Sequence, residues 1–491
     1  MAGLPAIAPW IRPRFLSDPF TLGVASGDPW PDGFVLWTRL APDPSSGTVV
    51  GQSNASVRWE IATDEGMRQV VKRGHGVASP DFAHSVHAEV SGLEPDRWYW
   101  YRFDVGGAAS PVGRARTMPR RDARPERLRF AVASCQHYEQ GFYAAHRHLA
   151  QEPIDFVAFL GDYIYESNTA DPVRSHGSGE PTTLDDYRER YAVYKRDTDL
   201  QAAHAACPWI VTFDDHEVDN NYVAAIAQDN VPVPEFQLRR AAAYRAYYEH
   251  MPLRRSSLPR GPDMLLYRTL DFGRLASFQV LDTRQYRSDQ ACGDGRRPIC
   301  DTWAQAERTV MGERQERWLE RGLSTSRATW NVLAQQIMMV PFEVDPGPVE
   351  AYNMDSWSGY PAARRRLTTL IADRRVPNVV TITGDVHASY ASEIPADYRD
   401  PGSAPVAVEY VGTSLSSGGN GVDAIPRVVD ALGNNPWMKY HNARRGYIRC
   451  DVTPDAWLAE YRLLPRVDDR DAPIATRASF TTPAGRSRVE S

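Results

Sequence analysis

Gly161-Asp162-Tyr163-Ile164-Tyr165 sets a carboxylate and a phenol three residues apart, at the end of the apolar run 155–160. That run, rich in aromatic and β-branched residues, reads as a strand buried on both faces. The carboxyl end of such a strand is where open α/β sheets place ligands. Carboxylate and phenolate are hard oxygen donors suited to hard divalent or trivalent cations, and the glycine permits a sharp turn and close approach. The pattern recurs. Leu128–Ala133 runs into Ser134-Cys135, and 208–213 into Asp214-Asp215-His216-Glu217, with Asn220-Asn221 following. Residues 274–281 run into Asp282-Thr283-Arg284, and 378–383 into Gly384-Asp385-Val386-His387. Five strand ends, expected in one sheet, thus carry Cys135, Asp162 with Tyr165, Asp215 with His216, Arg284, and Asp385 with His387. Charges gathered this closely repel and incur a desolvation cost unless cations neutralise them, which points to a polynuclear metal centre. Singly, each residue has a structural reading. Cys135 is an inert buried thiol, Arg284 an ion pair with Asp282, His216 a turn cap, and Asn220-Asn221 a turn.

The elements that must position these groups follow from a change of texture along the chain. Up to about Arg120 the runs 34–39, 56–61, 84–90 and 98–103 are strand-like and separated by turn residues. Leu93, Pro95 and Tyr99 have the spacing of a tyrosine corner. This predicts an all-β immunoglobulin or fibronectin-type sandwich over 20–120, preceded by an extension, 1–19. A charged, proline-punctuated linker at 118–126 marks the boundary. Over 127–466 strand-like runs alternate with helical spacing at 184–206, 235–250 and 305–323, the signature of an α/β layered domain. The polar stretch 467–491 reads as a C-terminal extension.

A chain of 491 residues implies two or three domains, and 42% hydrophobic content supplies a large core. The net charge of −6, with no basic block, argues against nucleic-acid binding and against an anionic membrane surface. No stretch has the length of a transmembrane helix. The amino terminus lacks a basic segment followed by a long apolar one, which implies either a cytoplasmic protein or removal of a leader. Cys292 and Cys300 bracket a Gly/Pro loop. They are either a disulfide clip, which implies an oxidising compartment, or two free thiols. Export to the periplasm or outside the cell is the expectation, with the cytoplasm left open.

The G-D-x-x-Y, D-D-H-E and G-D-x-H series resembles the calcineurin-like metallophosphoesterases, purple acid phosphatases included. It resembles the alkaline phosphatase D (PhoD-like) family more closely. Residues 20–29, Ser134-Cys135-Gln136, 161–166, 214–221, 281–287 and 384–387 look like that family's signatures in family order, and the likeness covers roughly 20–465. The resemblance implies a calcineurin-like catalytic domain behind the sandwich. It implies one ferric ion held by Cys135, Asp162, Tyr165 and His387, with one or two calcium ions beside it. Asp162 would bridge, and Asp215, Asp385 and one or both of Asn220 and Asn221 would face calcium. The membership of Glu139 and Glu217 stays open. The expected activity is hydrolysis of phosphate monoesters, diesters or both, by in-line attack of a metal-bridging hydroxide. Arg284 would bind the phosphoryl oxygens, and His216 would contact substrate and protonate the leaving oxygen. A phospholipase D-like diesterase on the same scaffold is the nearest alternative. A non-catalytic extracellular binding module leaves the five strand ends unexplained.

Overall fold

The computed structural model describes residues 15, 17–42, 53–343, 349–400 and 402–491. Most of the predicted extension 1–19, and the segment read for a leader, lie outside them.

The strands that feed the predicted site divide their side chains between two cores, as period-2 geometry requires. Along Leu128–Ala133, Leu128, Phe130 and Val132 enter one core, while Ala131 and Ala133 enter another. Phe156–Phe159 sends Phe156 and Ala158 one way, Val157 and Phe159 the other. Val379–Thr383 does the same with Val380 and Ile382 against Val379. Buried-on-both-faces strands are therefore found where the apolar runs predicted them.

The five strand ends do not share one sheet. Among the described residues, Leu128–Ala133, Phe156–Phe159 and Trp209–Val211 are the parallel centre of a nine-stranded sheet. Ala276–Val280 and Val379–Thr383 belong to a seven-stranded sheet, with Trp330–Ala334 between them, also parallel. Burial on both faces shows that a strand is internal. It does not say which strand pairs with it, so the split was not readable from periodicity. The sheets stack face to face over a core that includes Phe130, Phe156, Phe278, Trp330 and Trp457. Leu184–Lys195, Thr198–Ala206 and Val233–His250 cover the outer face of the larger sheet. Gly312–Thr325 and Pro361–Arg374 cover that of the smaller. The result is a helix–sheet–sheet–helix stack with the carboxyl ends of both parallel sets at one edge. The helical pattern 184–206 is broken in two because the Asp197 carboxylate caps a second helix, accepting from Asp199 and Leu200 N–H.

Two boundary expectations change. Val24–Trp30, Gly33–Arg39 and Ser85–Val90 extend the nine-stranded sheet, Val24–Trp30 lying parallel to Trp209–Val211. A separate five-stranded sheet around Ala55–Ala62 and Trp98–Val105 packs on them through Phe34, Val57, Val86 and Tyr101. The amino-terminal β layers thus share a sheet with the rest of the molecule. Tyr99 accepts a 3.0 Å hydrogen bond from Glu94 N–H, as the corner spacing predicted. Nor is 467–491 an appendage: Ala475–Pro483 pairs with Ala456–Leu464 as the edge strand of the large sheet. Its polar face looks outward, so its composition resembles that of a tail.

Candidate metal centre

Five of the predicted ligands adopt a backbone conformation that side chains other than glycine seldom adopt. Cys135, Asp162, Asn221, Asp385 and His387 all have φ between +51° and +65°. Non-glycine residues in the left-handed region are uncommon, and they cluster where function holds strain in place. Here the strain is over-determined by contacts between loops. Cys135 N–H and Gln136 N–H donate to the carbonyls of Gly161 and Asp162, at 3.1 and 3.0 Å. The Glu217 carboxylate accepts from the N–H groups of Asp162, Tyr163 and Asp214. At Gly161, φ +110°, a Cβ would lie 2.5 Å from Cβ of Asp214. Only glycine lets these two loops meet.

The side chains converge. Donor atoms of Cys135, Asp162 and His387 lie within 4.8 Å of one another, as do those of Asp162, Asp215 and His216, and those of Asp214, Asp215 and Asp385. Asp162 and Asp215 are shared, so the groups form a continuous row. Tyr165 adds its hydroxyl, 2.7 Å from Asp162 Oδ2 and 3.0 Å from His387 Nε2. Asn221 donates its backbone N–H to Asp215 Oδ2 at 2.8 Å. Its side-chain amide donates to Asp294, whereas that of Asn220 donates to Gln228. Glu139 is spent elsewhere, accepting from the N–H groups of Thr169 and His176.

The protonation balance is that of a site short of positive charge. Burial pushes Asp385 up to about 7, against the pull of Arg284. Burial and the Asp162 charge push Glu217 up to about 8. Burial lifts Asp214 well above the carboxylate range, while Arg284 and His216 outweigh burial at Asp215 and hold it ionised. The Cys135 thiol and Tyr165 phenol are both raised well above their usual values, first by burial and then by Asp162. Cations reverse each of the upward shifts. The buried Oδ1 of Asp162, the atom row's shared member, has no hydrogen-bond partner, which is the expected state of an oxygen reserved for a cation. A thiolate, an imidazole and a phenolate at one end, with carboxylates at the other, fit a transition metal beside harder cations.

Arg284, expected to face substrate, lies beneath the acidic groups. Its side chain is 0% exposed. Nε donates to Asp214 Oδ1 at 2.5 Å, and Nη1 donates to both oxygens of Asp355, at 3.1 and 2.8 Å. Nη2 lies 3.3 Å from Asp215 and 3.6 Å from Asp385. With its donors taken up by carboxylates and no exposed surface, it ties the acidic wall together. Its expected alternative partner, Asp282, only accepts its backbone N–H. Arg287, within the 281–287 motif, donates to Asp355 at 2.7 Å; its role and that of Asp355, which follows no long apolar run, had no sequence signal. His216 keeps access, with 15% of its side chain exposed, and its Nδ1 lies 2.8 Å from Glu166 Oε2. Burial disfavours its charge, but Glu166, Asp215 and Asp162 outweigh burial and raise it well above 6.5. Glu166 lay within the quoted motif; its role had no sequence signal. Gln336, also missed, fastens the two sheets at this edge, donating to Thr212 Oγ1 at 2.8 Å and to the Leu281 carbonyl at 3.0 Å. Cys292 and Cys300 form a disulfide.

Comparison with known proteins agrees with this chemistry. The profile of the PhoD-like phosphatase family matches residues 130–461, and that of its N-terminal domain matches 6–119. Alkaline phosphatase D of Bacillus subtilis (strain 168) is 52% identical over 475 residues, 95% of this chain and 81% of that protein. The solved structure of PhoD superposes with a TM-score of 0.95 at 50% identity, covering 98% of this chain and 93% of that one. The chain therefore belongs to the PhoD-like phosphatase family and is a metal-dependent phosphoric ester hydrolase.

Proposed function

We propose that the stack is a calcineurin-like metallophosphoesterase core whose edge holds one ferric ion and one or two calcium ions. Cys135, Asp162, Tyr165 and His387 would take the iron, and Asp162, Asp215, Asp385 and the Asn220-Asn221 turn would take calcium. The partnerless Oδ1 of Asp162, in the residue common to two donor groups, carries this reading. Bound cations supply Lewis acidity toward the phosphoryl oxygens and lower the pKa of water that attacks phosphorus. The chain's own residues do the rest. Arg284 fixes Asp214, Asp215 and Asp355 and acts as a positioning residue. His216, charged because Glu166 lies at Nδ1, is the proton source for the leaving oxygen, with Nε2 as the donating atom. The exposed end of the Cys292–Cys300 disulfide supports an exported protein, since such bonds persist in oxidising compartments.

The test pairs metal analysis with leaving-group dependence. Asp162→Ala should lose bound iron, bound calcium and activity together; normal metal content with lost activity would refute the bridging role. His216→Ala should lower turnover by about 10²–10⁴-fold on alkyl esters and far less on nitrophenyl esters, whose leaving group hardly needs a proton. Equal losses on both would remove His216 from the acid role.

A further inference from the structure

Asp294 lies within the loop that the Cys292–Cys300 disulfide closes. Its two carboxylate oxygens accept from the side-chain amide of Asn221, at 3.0 and 3.1 Å, and it also accepts from Gln228. The loop continues as Arg296–Pro298, which pairs antiparallel with Ala351–Asn353, just ahead of Asp355. Met354 N–H donates to the Gly295 carbonyl at 2.8 Å. On the other flank Gln290 donates to the Asn221 carbonyl at 3.1 Å and to Asp355 Oδ1 at 2.9 Å. One disulfide-closed strap therefore grips both the Asn221 turn and the Asp355 segment, the two pieces that flank Arg284.

A carboxamide is oriented by what its NH2 end donates to. With that end on Asp294 and the backbone N–H on Asp215, the Asn221 side chain has one free polar atom, its oxygen, and one fixed direction. We infer that Asp294 is a positioning residue of the centre: it aims the Asn221 oxygen at the cation beside Asp215, and the disulfide keeps Asp294 in place. The inference rests on the reading that Asn221 serves a calcium ion.

Calcium titration of chelator-stripped protein by calorimetry tests it, alongside kcat and KM against a nitrophenyl ester. Asp294→Ala should weaken calcium binding by about 10–100-fold, the usual effect of removing a ligand's supporting partner. Its kcat should recover at saturating calcium, and the melting temperature of the stripped protein should not change. Asp294→Asn, which keeps one acceptor, should fall between it and wild type. The double variant Cys292→Ser/Cys300→Ser should weaken calcium binding in the same direction. Calcium affinity unchanged in Asp294→Ala overturns the inference, as does a lowered melting temperature that calcium does not rescue, since that marks a purely structural contact. A wild-type protein that binds no calcium overturns the reading of the centre and this inference with it.

Discussion

A guanidinium facing Asp214, Asp215, Asp355 and Asp385 is the cation these buried side chains share, so its removal takes that shared partner from all of them. Arg284→Met should cost about 3–5 kcal/mol of stability, as breaking a buried ion pair typically does, read from urea denaturation. Loss of activity with unchanged stability would return Arg284 to substrate binding. Cys135 makes a quieter case. Its thiol carries no charge without a cation, because burial and Asp162 both oppose ionisation. On the proposed ferric assignment, Cys135→Ser should therefore retain less iron and shift or bleach the visible charge-transfer band while the fold persists; an unchanged spectrum and iron content would rule the residue out as a ligand. These two residues mark what could be read at this scale. Cys135, Asp162, Asp215, Asp385 and His387 were legible because each follows an apolar run within a recognisable short motif. The surroundings of Arg284 were not, since residue type gives the sign of a charge but not the carboxylates that enclose it. Asp355 had no signal at all: it follows Ala351–Asn353, a three-residue strand with no periodic pattern.

Elements bring these side chains together through loops that touch backbone to backbone. At Gly161 the left-handed conformation and the Asp214 contact act jointly. Gly161→Ala should cost about 1–3 kcal/mol from the strained backbone alone, and cation retention should fall with it because Asp162 and Asp214 move apart. A variant of wild-type stability and metal content would show that the loops adjust freely. At this scale the apolar runs did identify the strands, since side-chain alternation is local. Pairing is not local, and the division into two sheets appeared only in the fold. The same holds for Ala475–Pro483, whose half-exposed edge position gives it the composition of a tail.

For the whole molecule, the proton balance of the centre becomes a pH dependence of stability. Asp385 and Glu217, lifted to about 7 and about 8, keep protons that the unfolded chain releases near pH 4. Folding then takes up protons, and stability declines as pH rises through those folded values. His216, raised well above 6.5, acts in the same direction. Buried His137 and His146 and half-buried His441, lowered by burial to about 3, 3 and 4, act oppositely, but only below their unfolded value near 6.5. Buried Lys195, lowered by burial well below its usual value, opposes this trend in stripped and metal-loaded protein alike, so the difference between the two carries the effect: between pH 6.5 and 8 the urea midpoint of chelator-stripped protein should fall relative to that of metal-loaded protein. A gap between the two that does not widen over this range would contradict the charge balance described. The seam between the two sheets also sets an order in time. Tyr165 and His387, 3.0 Å apart, are separated by 222 residues of chain, one following the nine-stranded sheet and the other the seven-stranded. Closing so long a loop is entropically costly, and contacts of high sequence separation form slowly. The donor row is complete only once the sheets have docked, so, on the proposed ferric assignment, the visible colour of the centre should be the last signal to return during refolding.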